Sequence, residues 1–327
     1  MAMNLVARLR TLHRLALGLN RRNHDFGIAL NPPHLVALVD NKSATKLALA
    51  ARQVPTPQTF GRFRSVAELR TLGDALRNHT SFVMKPARGA GGEGIVVVTG
   101  RKGNTFIKAS GETLHWNDLR AHAAEILVGA YALNQTYDEV LIEERLELHP
   151  DLARFVFRGI PDIRILVAYG VPILAMMRLP TRRSDGRANL HLGGVGVGVD
   201  LESGQATHAV WGEKPVVAHP DTQAPLRELQ VPQWQSLLEV AAACFDCVPL
   251  GYFGVDLVLD PHVGPCVLEL NARPGLAIQL ANHVGLRPLL TALHSKLAHQ
   301  NGLGAEDRVR LGLEVYRAHK AETASRA

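Results

Sequence analysis

Residues 251–275 read "GYFGVDLVLDPHVGPCVLELNARPG", two apolar runs that each carry a carboxylate. In the first, Phe253, Val255, Leu257 and Leu259 alternate with Gly254, Asp256 and Val258, the period-two signature of a strand. The second, Val267 to Asn271, alternates likewise, and "DPHVGP" between them supplies the Pro and Gly of a hairpin connection. A hairpin centred near His262–Val263 pairs residues whose numbers sum to about 525, which sets Asp256 opposite Glu269 with both side chains on one face. Asn271 follows on that face by the period of two. Two acids meeting in an apolar sheet repel and lose solvation, a cost that a divalent cation removes. The oxygen donors Asp256, Glu269 and Asn271 suit Mg²⁺, or Mn²⁺ in its place, an ion that takes the rest of its shell from water and phosphate. The competing reading is a surface hairpin with solvated acids.

The chain has 327 residues, 46% apolar and 20% charged, a composition of two or three packed globular domains rather than a disordered or fibrous protein. No apolar stretch has the length of a membrane span; Ile165–Met177 is interrupted by Gly170 and Pro172. A soluble, cytoplasmic protein is expected, and three cysteines, with Cys244 and Cys247 as a lone C-x-x-C, read as buried thiols in a reducing compartment. Of the net charge of +6, five units come from Arg8, Arg10, Arg14, Arg21 and Arg22, since residues 1–24 contain no acid. The nearly neutral body leaves no basic face for nucleic acid. Leu5, Leu9, Leu12, Ala16 and Leu19 recur at helical spacing, so this piece reads as a basic amphipathic helix. It either lies on an anionic membrane or a membrane-associated partner through residues 1–22, making the protein membrane-peripheral, or docks on the chain's own core with its arginines in water.

Along the chain, "LVALVDNK" after Pro32–Pro33 reads as a short strand, with Ser43 capping a helix over Thr45–Arg52 and a second helix over Val66–Arg77. "SFVMKP" and "IVVVTG" are strands around "ARGAGGEG", residues 87–94. A helix over Asp118–Leu133 precedes a strand at Val140–Glu144. Asp162–Tyr169 and Val171–Leu179 form a hairpin, "TRRSDGRANLHLGG" is a polar loop, and a helix covers Trp234–Phe245. From Arg287 the chain is helical and then polar, with the last dozen residues frayed. Hairpin groups separated by helices indicate an α+β protein.

Gly89, Gly91 and Gly94 fit G-x-G-x-x-G, but β-branched "IVVVT" follows where a dinucleotide-binding fold would open a helix. A glycine-rich hairpin over nucleotide phosphates is the better reading. The segment lacks the Gly-Lys-Ser/Thr of a phosphate-binding Walker loop, and the lone "DFG" at Asp25–Gly27 precedes the glycines, contrary to the kinase order. Lys85, in the strand before the loop, either meets a fixed anion such as phosphate or snorkels from a sheet edge. Glu144 and Asp162 stand at strand ends where a carboxylate accepts from ribose hydroxyls, and the backbone after Glu144 can read an adenine edge. Arg182, Arg183, Arg187, Asn189 and His191 offer donors to phosphoryl oxygens or an oxyanion, unless they form only a solvated loop.

In this order, "VDNK", "VMKPARGAGGEGI", "IEERL", "DIRILV", "RANLHLGG", "GVDLVL" and "LELNARPG" resemble the ATP-grasp superfamily, and within it alpha-L-glutamate ligase-like proteins related to ribosomal-protein glutamate ligases. The likeness covers about residues 35–282. It implies two α+β subdomains closing on ATP, residues 35–140 with the glycine lid and 141–300 with the metal hairpin, between an amino-terminal helix and linker (1–34) and a helical, partly disordered tail (301–327). It also implies that Lys42 and Lys85 meet the phosphates, Gly91, Gly92 and Gly94 form the lid, and Glu144, Arg145 and Leu146 make the adenine hinge. Asp162 would be the ribose-side acid, Arg187 and Asn189 would contact phosphate and intermediate, and Asp256, Glu269 and Asn271 would bind Mg²⁺. The implied chemistry is ATP-dependent joining of a carboxylate to an amine through an acyl phosphate with ADP release, adding glutamate or a similar amino acid to a peptide or small-molecule acceptor. The alternative is a catalytically silent ATP-binding scaffold. Two features depart from the family pattern: only 41 residues precede Lys42, so the usual amino-terminal domain is truncated, and Gly254 stands where some members carry an arginine, a role left to Arg187 or Arg273.

Overall fold

The computed structural model describes residues 14–89, 91–132, 135–298 and 302–326. They divide into two compact units, each α+β and each built on one antiparallel sheet. Residues 40–47 and 56–147 form the smaller unit, and the remainder the larger.

In the smaller unit the strands are β1 (Thr59–Phe63), β2 (Phe82–Pro86), β3 (Val96–Lys102), β4 (Thr105–Lys108), β5 (Thr113–His115) and β6 (Val140–Glu143), in the order β1-β6-β2-β3-β4-β5. β2 and β3 pair antiparallel with Phe82 opposite Val98 and Met84 opposite Val96, so the glycines join a hairpin as their sequence implies. A helix over Trp116–Leu127 buries Leu119, Ala123, Ile126 and Leu127, the apolar stripe of a helix lying on a sheet, in a core with Phe82, Met84, Val98 and Phe106. It starts two residues earlier than expected, where Asp118 accepts from the His115 N–H, and ends before Gly129 at φ 82°. The helix expected over Val66–Arg77 is only a 3₁₀ turn, Glu68–Thr71, and one α turn, Leu72–Ala75. Gly73 within it is a poor helix former.

The larger unit carries β7 (Asp162–Ala168), β8 (Val171–Leu179), β9 (Val195–Val199), β10 (Ala206–Trp211), β11 (Lys214–Pro215), β12 (Tyr252–Asp260) and β13 (Gly264–Asn271), in the order β11-β10-β9-β8-β7-β12-β13. Ile165–Met177 is the β7–β8 hairpin, and no described helix is long and apolar enough to cross a membrane. One sheet face packs in a core with Leu237, Leu238 and Ala241 of the helix Trp234–Cys247 and with Val309 and Val315 of the helix Ala305–Arg326. The tail read as frayed is therefore helical, fastened by Lys320 to Asp200 (2.6 Å) and Arg317 to Glu202 (2.7 Å).

Two amino-terminal expectations change. "LVALV" is helical, within Pro33–Val39; an apolar run that short fits either period, and Pro33 is suited to a first helical turn. The next helix, Lys42–Ala50, is capped by the Asn41 side chain, which accepts from the Ala44 N–H, while the Ser43 hydroxyl takes a bond from Arg62. The expected amphipathic helix lies largely in residues 1–13, outside the described residues. Its remainder, residues 14–22, is not one continuous helix. Residues 16–18 are non-helical because both polar groups of the Leu17 backbone bond the Gln279 side chain, and Arg22 is buried against the Pro274 carbonyl rather than in water.

Candidate functional site

β6 runs between β1 and β2, so every one of its residues is buried. Lys85 pairs with Leu141 and Val83 with Glu143, which makes Lys85 and Glu143 diagonal neighbours on one face. Their side chains form an ion pair, and Lys46 reaches the other Glu143 oxygen at 2.6 Å while also donating to the Pro57 carbonyl. Glu143 is 3% exposed, Lys85 6% and Lys46 8%. Burial pushes the Glu143 carboxyl up, but Lys85 and Lys46 outweigh it and hold the group below its ordinary range. Two ammonium groups converge on one carboxylate, one of them from the strand that leads into the glycine hairpin. Lys85 thus meets a fixed anion, one supplied by the chain itself.

This arrangement has a pH consequence. A carboxyl whose pKa is lowered on folding contributes stability above its unfolded value, near 4.3, and loses that contribution as pH falls through the lower folded value. Urea unfolding of the smaller unit should therefore show a stability gap between wild type and Glu143→Gln that is widest at neutral pH and closes below about pH 4. A gap that stays constant from pH 7 to pH 3 would contradict the pairing.

The other expected residues of this unit lie around the same hairpin. Lys42 begins its helix with its N–H on the Ala87 carbonyl and its ammonium 2.6 Å from the Gly89 carbonyl. Gly91, Gly92 and Gly94 all have positive φ, 66°, 83° and 71°, a region open to glycine, and they form the turn between β2 and β3. Glu144 continues β6 by exchanging backbone and side-chain bonds with Gln58; Arg145 is half-buried with Glu147 at 3.2 Å, and Leu146 is buried.

In the larger unit the expected register of the metal hairpin holds where it matters. Gly254, Val255 and Asp256 face Asn271, Leu270 and Glu269. A bulge then shifts the pairing by one, so Leu257 faces Val267. On its other side Asp256 faces Arg164 of β7, whose guanidinium grips both carboxylate oxygens at 2.7 and 2.5 Å. Arg178 of β8 adds a third bond at 2.8 Å and also holds Asp162. Asp162, Arg164, Arg178, Asp256 and Glu269 thus share one polar sheet face. Burial opposes ionisation of Asp256, but Arg164 and Arg178 hold it well below the usual carboxylate range. Burial pushes Asp162 up to about 6, with Arg178 pulling against it and the Asp256 charge adding to the rise.

The glycine at position 254 has a physical cause. A Cβ there would lie 3.1 Å from the Pro274 Cβ, tighter than side chains normally pack, with the Arg164 Nε at an ordinary 3.7 Å. The guanidiniums on Asp256 come from β7 and β8, whereas Arg187 and Arg273 are exposed. Asn189 accepts from the His191 N–H at 2.9 Å, and Asn271 accepts from the Arg273 N–H at 2.9 Å.

Among the described residues no three His, Cys, Asp or Glu side chains converge as a metal cage. The donor set still fits Mg²⁺. Asp256 accepts three bonds with a capacity of about four, Glu269 stands directly opposite, and Asn271 follows.

Residues 21–295 match the family described as sugar-transfer associated ATP-grasp. The chain belongs to that family. No curated protein matches the chain. Among solved structures, this ATP-grasp chain is similar to the ATP-grasp ligase PsnB complexed with a minimal precursor, at 17% identity and TM-score 0.43, covering 82% of this chain and 64% of that one. It is also similar to D-alanine–D-alanine ligase from Bacillus anthracis (16% identity, TM-score 0.41, 89% and 72% covered) and to VanG D-Ala:D-Ser ligase from Enterococcus faecalis (15%, 0.42, 86% and 62%). The ATP-grasp chain thus spans less than two thirds of the PsnB chain's length. None of the three cysteines is in a disulfide; Cys244 and Cys266 are buried as expected, whereas Cys247 is half-buried, and burial pushes the Cys244 and Cys247 thiols up, away from reactivity.

Proposed function

We propose that the protein is an ATP-dependent ligase that joins a carboxylate to an amine and releases ADP. The observation that carries this reading is the pair of buried charge networks: Lys46–Glu143–Lys85, with Lys85 on the strand that leads into the glycine turn, and Asp162–Arg178–Asp256–Arg164, with Glu269 standing opposite Asp256. The first suits a polyphosphate, the second a divalent cation. Lys85, Lys42 and the backbone of Gly91, Gly92 and Gly94 hold the phosphates, while Glu144, Arg145 and Leu146 take the adenine and Asp162 the ribose side. Asp256, Glu269 and Asn271 hold Mg²⁺, which when bound neutralises phosphate charge. A substrate carboxylate then displaces ADP from the γ-phosphoryl group, and an amine attacks the acyl phosphate to give an amide and phosphate. Arg187, and Asn189 through its amide N–H, offer donors to the charge that develops at that carbonyl. The protein's part is positioning and charge stabilisation.

Glutamate is the first amino acid to test, because of the resemblance to glutamate ligases; peptide acceptors and, from the family's description, sugar-bearing acceptors complete the panel. Pure protein incubated with ATP, Mg²⁺ and that panel should release ADP and form an amide detectable by mass spectrometry. One observation favours the scaffold reading: three of the four lone-pair sites of Asp256 are already engaged by arginines. Tight ATP binding with no ADP from any acceptor would decide for it, and a phosphorylated product without amide would overturn both.

A further inference from the structure

Both ends of the glycine turn are fastened to the helix Trp116–Leu127 and the segment after it. Gly89 forms an antiparallel bridge with Ala132. At the other end, the Gly94 carbonyl lies 2.9 Å from the His122 Nε2 on the helix itself. A carbonyl only accepts, so Nε2 is the nitrogen that carries the proton. A Cβ on Gly94 would come within 2.6 Å of the Tyr131 ring, so that ring lies directly against the turn. The Tyr131 hydroxyl donates to the Glu125 carboxylate at 2.9 Å and lies 3.4 Å from the His122 Nδ1, and Glu125 is itself 3.7 Å from that nitrogen. The His122 and Tyr131 rings are 5.4 Å apart. Burial and the neighbouring Glu125 push the phenol pKa up, so the hydroxyl keeps its proton.

A turn that covers phosphates needs its backbone N–H groups held close to the bound geometry, yet three glycines of positive φ leave that geometry weakly specified. The described fixings at its Gly94 end are the His122 bond and the Tyr131 ring, and neither residue belongs to the glycine motif or to the ligand set above. We infer that His122, Tyr131 and Glu125 form a latch that sets the resting position of the glycine turn, and are thereby positioning residues for a nucleoside triphosphate. The inference rests on the ATP reading of the turn for its ligand, but not for its mechanics.

The test uses the full chain and its His122→Ala, His122→Gln and Tyr131→Phe variants, with two readouts. Without nucleotide, hydrogen exchange of backbone amides over residues 91–98 should quicken in His122→Ala. It should return toward wild type in His122→Gln, whose amide N–H can reach the same carbonyl. By titration, Mg²⁺–ATP should bind His122→Ala roughly three- to tenfold more weakly, the worth of one hydrogen bond, while AMP affinity is unchanged because the turn serves the distal phosphates. Tyr131→Phe keeps the ring and loses the hydroxyl, so it should give a smaller change of the same kind, and it serves if His122→Ala does not fold. Unchanged exchange in both His122→Ala and Tyr131→Phe, or equal weakening of ATP and AMP, overturns the latch. If wild type binds no ATP, the nucleotide reading fails separately, and the exchange result alone decides for or against the latch.

Discussion

Replacing Glu143 with glutamine is expected to lower the unfolding free energy of the smaller unit by about 3–5 kcal/mol, the cost of removing one partner from a buried ion pair. Glu143 is bonded to both Lys46 and Lys85, so the substitution leaves two buried ammonium groups facing one neutral amide. Hydrogen exchange over Val140–Glu143 and urea unfolding would measure the loss; a change under about 1 kcal/mol would mean that the triad is not held as described. A triple variant, Lys46→Met, Glu143→Leu and Lys85→Met, separates stability from function. Well-packed apolar groups often replace buried charges at no cost. It should therefore recover most of the lost stability while ATP affinity is lost with Lys85. Wild-type ATP affinity in the stable triple variant would exclude Lys85 from phosphate binding.

Glu269→Gln is expected to reduce ADP release by at least about a hundredfold, the scale on which removal of a charge-stabilising group acts on turnover. Glu269 is half-buried, and the Arg164 and Arg178 bonds to Asp256 survive its substitution, so the melting midpoint should move less than in Asp256→Asn. Asp256→Asn makes the complementary case. It removes the anion shared by two guanidiniums of a buried network, and a stability loss of about 3–5 kcal/mol should accompany the loss of turnover. Glu269 is therefore the cleaner probe of the metal role. Undiminished ADP release by a folded Glu269→Gln protein would remove Glu269 from the metal set.

The register of β12 and β13 is legible in the sequence because two alternating runs and a Pro-Gly turn leave few pairings, and Asp256 opposite Glu269 follows from arithmetic. The bulge beyond Asp256 is not, since no residue type in "VLEL" marks it. Arg164 and Arg178 read as ordinary strand residues because their partners lie on neighbouring strands far along the sequence, Asp256 being 92 residues from Arg164. Glu143 escapes the sequence reading as the partner of Lys85, because a strand buried on both faces shows no alternation to say which of its residues points at that lysine. The helix Pro33–Val39 is too short for its period to declare itself, whereas Trp234–Cys247, long and strongly periodic, is predicted to within two residues.

The most direct test is a crystal structure of the full chain with Mn²⁺ in place of Mg²⁺ and a nonhydrolysable ATP analogue, with the ion located by its anomalous signal. An ion at coordination distance from Asp256 and Glu269, about 2.1 Å for the Mg²⁺ it replaces, together with phosphate oxygens on Lys85, is the predicted result. An ion bound only to phosphate and water, with Arg164 and Arg178 still engaging Asp256 and the phosphates away from Lys85, would contradict the account.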